Sequence, residues 1–97
     1  MRGHQYNIMK ILITGGAGLI GSNLARELNK KNYEFSIVDN LWRGKIENLY
    51  FESKPVIDIK KKFYNLDLSD YKNCLDVTKN IDLVIHLDGC LSGLIML

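Results

Sequence analysis

The fold is decided by residues 9–21, Met9-Lys10-Ile11-Leu12-Ile13-Thr14-Gly15-Gly16-Ala17-Gly18-Leu19-Ile20-Gly21. Met9 to Thr14 read as a buried strand, a short apolar run with β-branched residues. Glycines follow at once. Ile20, Leu24, Ala25 and Leu28 then recur at helical spacing, while Asn23, Arg26, Glu27 and Lys30 fall off that face. A strand, a glycine-rich turn and a helix in succession make a phosphate-binding corner. Gly15 allows the sharp turn, Gly18 lets the backbone approach a pyrophosphate, and Gly21 lets the helix pack against the strands. Unpaired N–H groups at the helix start point at the anion. The spacing is G-x-x-G-x-x-G, and no Gly-Lys-Ser or Gly-Lys-Thr follows, which excludes a Walker loop.

Outward from this corner the chain alternates. The helix ends in Asn29-Lys30-Lys31-Asn32, where lysines suit the negative end of its dipole. Phe35-Ser36-Ile37-Val38 reads as a second strand ending at Asp39. Ile46, Leu49 and Tyr50 allow one or two helical turns, and Pro55 stops regular structure there. Phe63-Tyr64-Asn65-Leu66 reads as a third strand ending near Asp67, with Lys60 to Lys62 as its solvated entry. Ser69 then fits a helix N-cap and Asp70 the first turn, with Tyr71, Cys74, Leu75 and Thr78 facing inward. Leu83-Val84-Ile85-His86-Leu87 reads as a fourth buried strand. The alternation predicts an α/β fold, the N-terminal half of a Rossmann-type doubly wound parallel sheet, with about four strands in the order 3-2-1-4. Residues 1–8 are a polar extension, 9–88 the partial dinucleotide-binding domain, and 89–97 an apolar tail.

Composition narrows the class. With 97 residues, the chain is one small domain or part of a larger one. A net charge of +2 does not point to nucleic acid. Two cysteines, Cys74 and Cys90, make neither a disulfide framework nor a four-ligand zinc site, and read as reduced thiols of a cytoplasmic protein. No apolar run is long enough to span a membrane. Arg2 and Lys10 before Ile11 to Ile20 mimic a signal peptide, but glycines 15, 16 and 18 disfavour a helical apolar region.

An acid at the end of the second strand gives the glycines their context. Asp39 lies 18 residues beyond Gly21, near the spacing for a carboxylate that accepts the adenosine ribose hydroxyls. Such a carboxylate repels a ribose phosphate, so NAD is expected over NADP, although Arg43 nearby is able to pair with a 2′-phosphate. The alternative for Asp39 is a solvated residue that merely ends a strand.

Thr14-Gly15-x-x-Gly18-x-x-Gly21 resembles the signature of extended short-chain dehydrogenases/reductases, and more narrowly of the NAD-dependent epimerase/dehydratase family acting on nucleotide sugars. Val38-Asp39-Asn40-Leu41, Arg43-Gly44 with Glu47-Asn48-Leu49, Asn65-Leu66-Asp67-Leu68 and Asp82 to Leu87 resemble that family's following segments, so the resemblance runs from about Met9 to Leu87. It implies that Gly15, Gly18, Leu19 and Ile20 line the pyrophosphate. It implies that Asp39 and Asn40 hold the ribose, that Asp67 and Leu68 meet the adenine, and that Leu87 passes beneath the nicotinamide half. The implied chemistry is oxidation of a sugar hydroxyl by hydride transfer to NAD. The nucleotide sugar is a partner only of a complete protein, because the family's catalytic tyrosine and lysine lie beyond the fifth strand.

No residue of this chain is therefore assigned a catalytic role. The pairs Tyr6 with Lys10 and Tyr50 with Lys54 have the Tyr-x-x-x-Lys spacing but lie before the first and third strands. Asp88-Gly89 departs from the small residues usual in the family after the fourth strand, and the tail from Cys90 to Leu97 has little family likeness, as a shifted reading frame would produce. The rival to an epimerase-like portion is an autonomous dinucleotide-binding sensor or partner module; a third reading is a non-binding fragment. His86 reads as a buried, satisfied histidine, His4 as bland and Cys90 as an inert thiol. Trp42 either stacks near the adenine or anchors its loop on the sheet edge.

Overall fold

The computed structural model describes residues 7–87 and 93–96. Strand β1 (Asn7–Thr14) leads through the glycine corner into helix α1 (Leu19–Lys30), and β2 (Tyr33–Val38) follows. A 3-10 turn at Ile46–Leu49 precedes a small hairpin of β3 (Tyr50–Phe51) and β4 (Lys54–Pro55). Then come α2 (Ile59–Lys62), β5 (Phe63–Tyr64), α3 (Tyr71–Thr78), β6 (Leu83–His86) and β7 (Gly93–Met96).

The main sheet has the order β5-β2-β1-β6-β7. Its first four strands are parallel, and they are the expected 3-2-1-4 arrangement. Ile13 lies between Ile37 and Ile85, and Thr14 between Val38 and His86, so the carboxyl ends of β1, β2 and β6 finish level. Alternation along β1 sends side chains to two separate cores. Ile11 and Ile13 join Ala25, Leu28, Phe35 and Ile37 under α1. Leu12 joins Val38, Val77 and Val84 under α3. Helices on both faces are the doubly wound design.

Several local expectations are corrected. Residues 93–96 of the tail form β7, which pairs antiparallel with β6. Lys60 to Lys62 make a helical turn rather than a strand entry, because the Asp58 side chain accepts from the N–H groups of Lys60 and Lys61. Pro55 lies in β4 rather than ending regular structure; the hairpin turns on Glu52 and Ser53 at φ 52° and 69°. Asp70, not Ser69, caps α3 through the Lys72 N–H. Tyr71 and Leu75 face outward, at 75% and 53% exposure, and Val77 provides the buried contact. Ile20 also faces solvent rather than the core. His4, Tyr6, Asp88 and Cys90 lie outside the described residues. Among the described residues no helix is long and apolar enough to cross a membrane.

Candidate functional site

The glycine corner is built at the carboxyl end of β1. Gly15 takes a positive φ of 71°, and its N–H donates to the Val38 carbonyl, which ties the turn to β2. A side chain on Gly21 would place Cβ 2.5 Å from the Gly15 oxygen and 2.7 Å from Gly16 Cα, so α1 packs directly on the corner. A Cβ on Gly18 would meet only the Gly15 oxygen, at an ordinary 3.4 Å. Gly18 is the N-cap of α1, no side chain caps it, and the first turn contains no acid. The positive end of the α1 dipole therefore meets no side-chain anion from its own first turn. Leu19 and Ile20 are exposed at this end.

Asp39 couples the corner to β2. It is 9% exposed, unlike a solvated strand-end residue. Its Oδ2 accepts from the Ala17 N–H at 2.9 Å and its Oδ1 from the Leu41 N–H at 2.8 Å. Each carboxylate oxygen retains a further lone pair for another donor. Gly44 packs against the same group, since a Cβ there would lie 2.6 Å from Asp39 Oδ2. The sequence assigned Gly44 no task, because the need for an absent side chain arises only from tertiary packing. Leu41 occupies the left-handed region at φ 63°, an uncommon place for a branched residue and one found often at functional sites.

Beside this clamp a cleft of about 290 Å³ opens at the carboxyl ends of β2, β5 and β6. It brings together Asp39, Asn40, Asp67 and Leu68 from the expected set, with Ser69 and His86 added. Asn40 Oδ1 accepts from the Trp42 N–H, and Asp67 Oδ1 accepts from the Ser69 N–H at 2.9 Å. The Ser69 backbone N–H, and then its side chain, hold the Asp67 carboxyl below the usual carboxylate range. His86 is only half-buried and its Nδ1 is hydrogen-bonded to the Thr14 hydroxyl, so it is satisfied but also faces the cleft. Among the described residues, two carboxylates and no lysine or arginine line this cleft, which suits neutral hydroxyl and amine donors better than a phosphate.

Other expected residues lie apart. Leu87 is outside the cleft, packed against the α1-side core, with its N–H donating to the Thr14 carbonyl. Trp42 is 78% exposed and anchors nothing on the sheet; the Arg43 guanidinium lies 4.9 Å over its ring. Tyr50 and Lys54 flank the hairpin turn. No group of three or more metal-ligating side chains gathers among the described residues.

Residues 11–94 match the NAD dependent epimerase/dehydratase family. The chain belongs to this family. The match passes beyond Leu87, where the likeness read from the residues ended, and into β7. Similar epimerase/dehydratase sequences include UDP-arabinose 4-epimerase 1 of Arabidopsis thaliana, 49% identical over 86 residues. That alignment spans 86% of this chain and 20% of the relative. A UDP-glucose 4-epimerase of Yersinia enterocolitica is 39% identical over 84 residues, 84% of this chain and 24% of its own length. Among solved structures, the Thermus thermophilus UDP-glucose 4-epimerase in complex with NAD superposes with a TM-score of 0.64 at 31% identity. It is covered to 24% by 84% of this chain. An epimerase from Methanothermobacter thermautotrophicus gives a TM-score of 0.71 at 32% identity, over 87% of this chain and 24% of that one. The chain thus spans about a quarter of the length of these relatives and supplies the N-terminal portion of the family's fold.

Proposed function

We propose that this chain is the NAD-binding portion of a cytoplasmic nucleotide-sugar epimerase/dehydratase-like protein, with residues 9–88 as the binding domain. The observation that carries this reading is the continuity of the glycine corner with the carboxylate-lined cleft through the Asp39–Ala17 hydrogen bond. Gly15, Gly18, Leu19 and Ile20 receive the pyrophosphate at the uncapped start of α1, and Gly21 serves the cofactor site by letting α1 pack directly on the corner. Asp39 and Asn40 take the ribose, Asp67 and Leu68 the adenine, and Leu87 borders the path toward the nicotinamide. NAD is preferred over NADP because Asp39 and Asp67 both repel a 2′-phosphate, while Arg43 is drawn over Trp42 instead. The cofactor, when bound, supplies a hydride acceptor. The residues here bind and orient it, and a Tyr-x-x-x-Lys region outside this chain carries the proton chemistry on a nucleotide sugar.

Calorimetric titration of the purified chain tests this. NAD should bind saturably and NADP more weakly, with NAD binding lost in Gly18→Val and reduced in Asp39→Ala. A folded chain that takes up no NAD sinks the proposal.

One observation favours a second reading, an autonomous dinucleotide-binding module without catalysis. Strand β7 covers the β6 edge from within the chain, as a self-contained small domain requires. A monomer that binds NAD and gains no turnover from any added family domain supports this alternative.

A further inference from the structure

We propose that Asn48 is a positioning residue for the glycine corner, fixing the Ala17 carbonyl so that the corner is formed before a pyrophosphate arrives. This rests on the NAD-binding reading above. Ala17 is fully buried and held at both ends of its backbone. Its N–H donates to Asp39, and its carbonyl accepts from Asn48 Nδ2 at 2.8 Å and from the Lys45 N–H at 3.1 Å. Two donors use both lone pairs of that oxygen. The Ala17–Gly18 peptide is planar, so fixing its carbonyl also fixes the Gly18 N–H on the other side. That N–H donates to the Gly15 carbonyl at 3.2 Å and closes the corner. Gly18 then starts α1, and the Ser22 N–H returns to the Gly18 carbonyl at 2.9 Å. A chain of hydrogen bonds therefore runs from the 3-10 turn to the helix start that meets the anion.

The packing isolates this task. Within the 3-10 turn Leu49 is buried and Asn48 exposed, so Leu49 anchors the turn in the core. The Asn48 amide reaches across to Ala17, 31 positions back in sequence, and is the side-chain donor beside the Lys45 backbone N–H. The residue type follows from the acceptor: a carbonyl needs a donor, which Asn provides and Asp does not. The proposed adenosine contacts lie in the cleft, which Asn48 does not line and which meets the corner through the Asp39–Ala17 bond. Loss of the Asn48 bond therefore makes ordering of the corner part of the cost of binding a pyrophosphate, and weakens adenosine recognition less.

The test is titration of the 97-residue chain with NAD and, separately, with adenosine, followed by calorimetry or NMR shifts. In Asn48→Ala the NAD affinity should fall about tenfold, the worth of one good hydrogen bond. Asn48→Asp should lose more, because a carboxylate then faces the carbonyl. Adenosine should lose less affinity than NAD in both variants, since its contacts meet the corner one bond further away, through Asp39. Unchanged NAD affinity in both variants overturns the role of Asn48, and so does parallel loss of NAD and adenosine, which is the mark of a merely structural residue. A parent chain that binds neither ligand overturns the cofactor reading itself, and this inference with it, before any variant is made.

Discussion

Asp39 and Ala17, 22 positions apart, are joined by a 2.9 Å hydrogen bond from the Ala17 N–H to a carboxylate that also accepts from Leu41. The acid therefore holds the corner together before any ligand binds, besides its proposed contact with the ribose. Removing it strands a buried N–H in the glycine corner. Asp39→Ala should destabilise the ligand-free chain by about 2–3 kcal/mol, the cost of losing charge-assisted bonds and leaving a donor unpaired. Asp39→Asn should lie between, because the amide still offers one acceptor oxygen for the two donors. Urea denaturation reads both. An Asp39→Ala chain as stable as the parent would show that the carboxylate serves the ligand alone.

Gly18 and Gly21 should separate binding from stability. At Gly21 a Cβ would meet backbone at 2.5 Å and 2.7 Å, and backbone does not move aside cheaply. Gly21→Ala should cost about 1–3 kcal/mol in the free chain, as overpacking does. At Gly18 the nearest contact is 3.4 Å, and the residue sits at φ −76°, ψ 180°, where any side chain is accommodated. Gly18→Ala should melt within a few degrees of the parent, a shift of less than about 1 kcal/mol. It should nevertheless bind NAD poorly, because its methyl group occupies the pyrophosphate approach. Thermal melts paired with NAD titration decide the matter, and equal stability losses in the two variants would count against it.

The carboxyl of Asp67 is held low first by the Ser69 backbone N–H and then by the Ser69 side chain. A depressed folded pKa gives stability that is present above the ordinary carboxylate value and is lost as pH falls through the lower folded value. Asp67 is exposed, so the effect on folding is small and the titration itself is the better readout. Ser69→Ala removes the hydroxyl and keeps the N–H. The Asp67 midpoint in a carbon-detected NMR titration should rise part of the way toward its ordinary value. No movement would assign the whole depression to the backbone bond.

The parts legible in the sequence are those fixed by period and by glycine. The β1–corner–α1 unit, the parallel order and the gathering of Asp39 with Asp67 follow from strands ending where acids begin. What escaped depends on choices between adjacent residues. Ser69 and Asp70 both suit an N-cap, but Asp67 engages the Ser69 N–H, and Asp70 caps the helix. The signal for the turn at Lys60 to Lys62 was Asp58, one residue before Ile59, whose carboxylate caps it. The hairpin uses Glu52 and Ser53 at positive φ, with neither Gly nor Asn to announce it. In an eight-residue helix two apolar stripes compete, and packing on Leu12 and Val84 selected Val77 over Leu75. Asn48 and Gly44 matter because a distant loop comes to rest on Ala17, which no local pattern reports.

Strand β7 bears on how the chain behaves in solution. The sequence leaves β6 as an exposed edge, and an edge strand offers a row of unpaired N–H and C=O groups to any other chain. Here Gly93, Leu94, Ile95 and Met96 pair antiparallel with His86, Ile85, Val84 and Leu83. Deletion of residues 93–97 should therefore uncover β6 while keeping every described member of the two cores and of the candidate cleft. The shortened chain should show concentration-dependent association in sedimentation velocity under conditions where the parent does not. Its affinity for NAD, measured at the lowest usable concentration, should fall only modestly, because His86 is the one described residue lining the cleft that also pairs with β7. Identical sedimentation of the two chains would mean that β7 does not shield the edge, and loss of NAD binding with the deletion would tie the strand to the site itself.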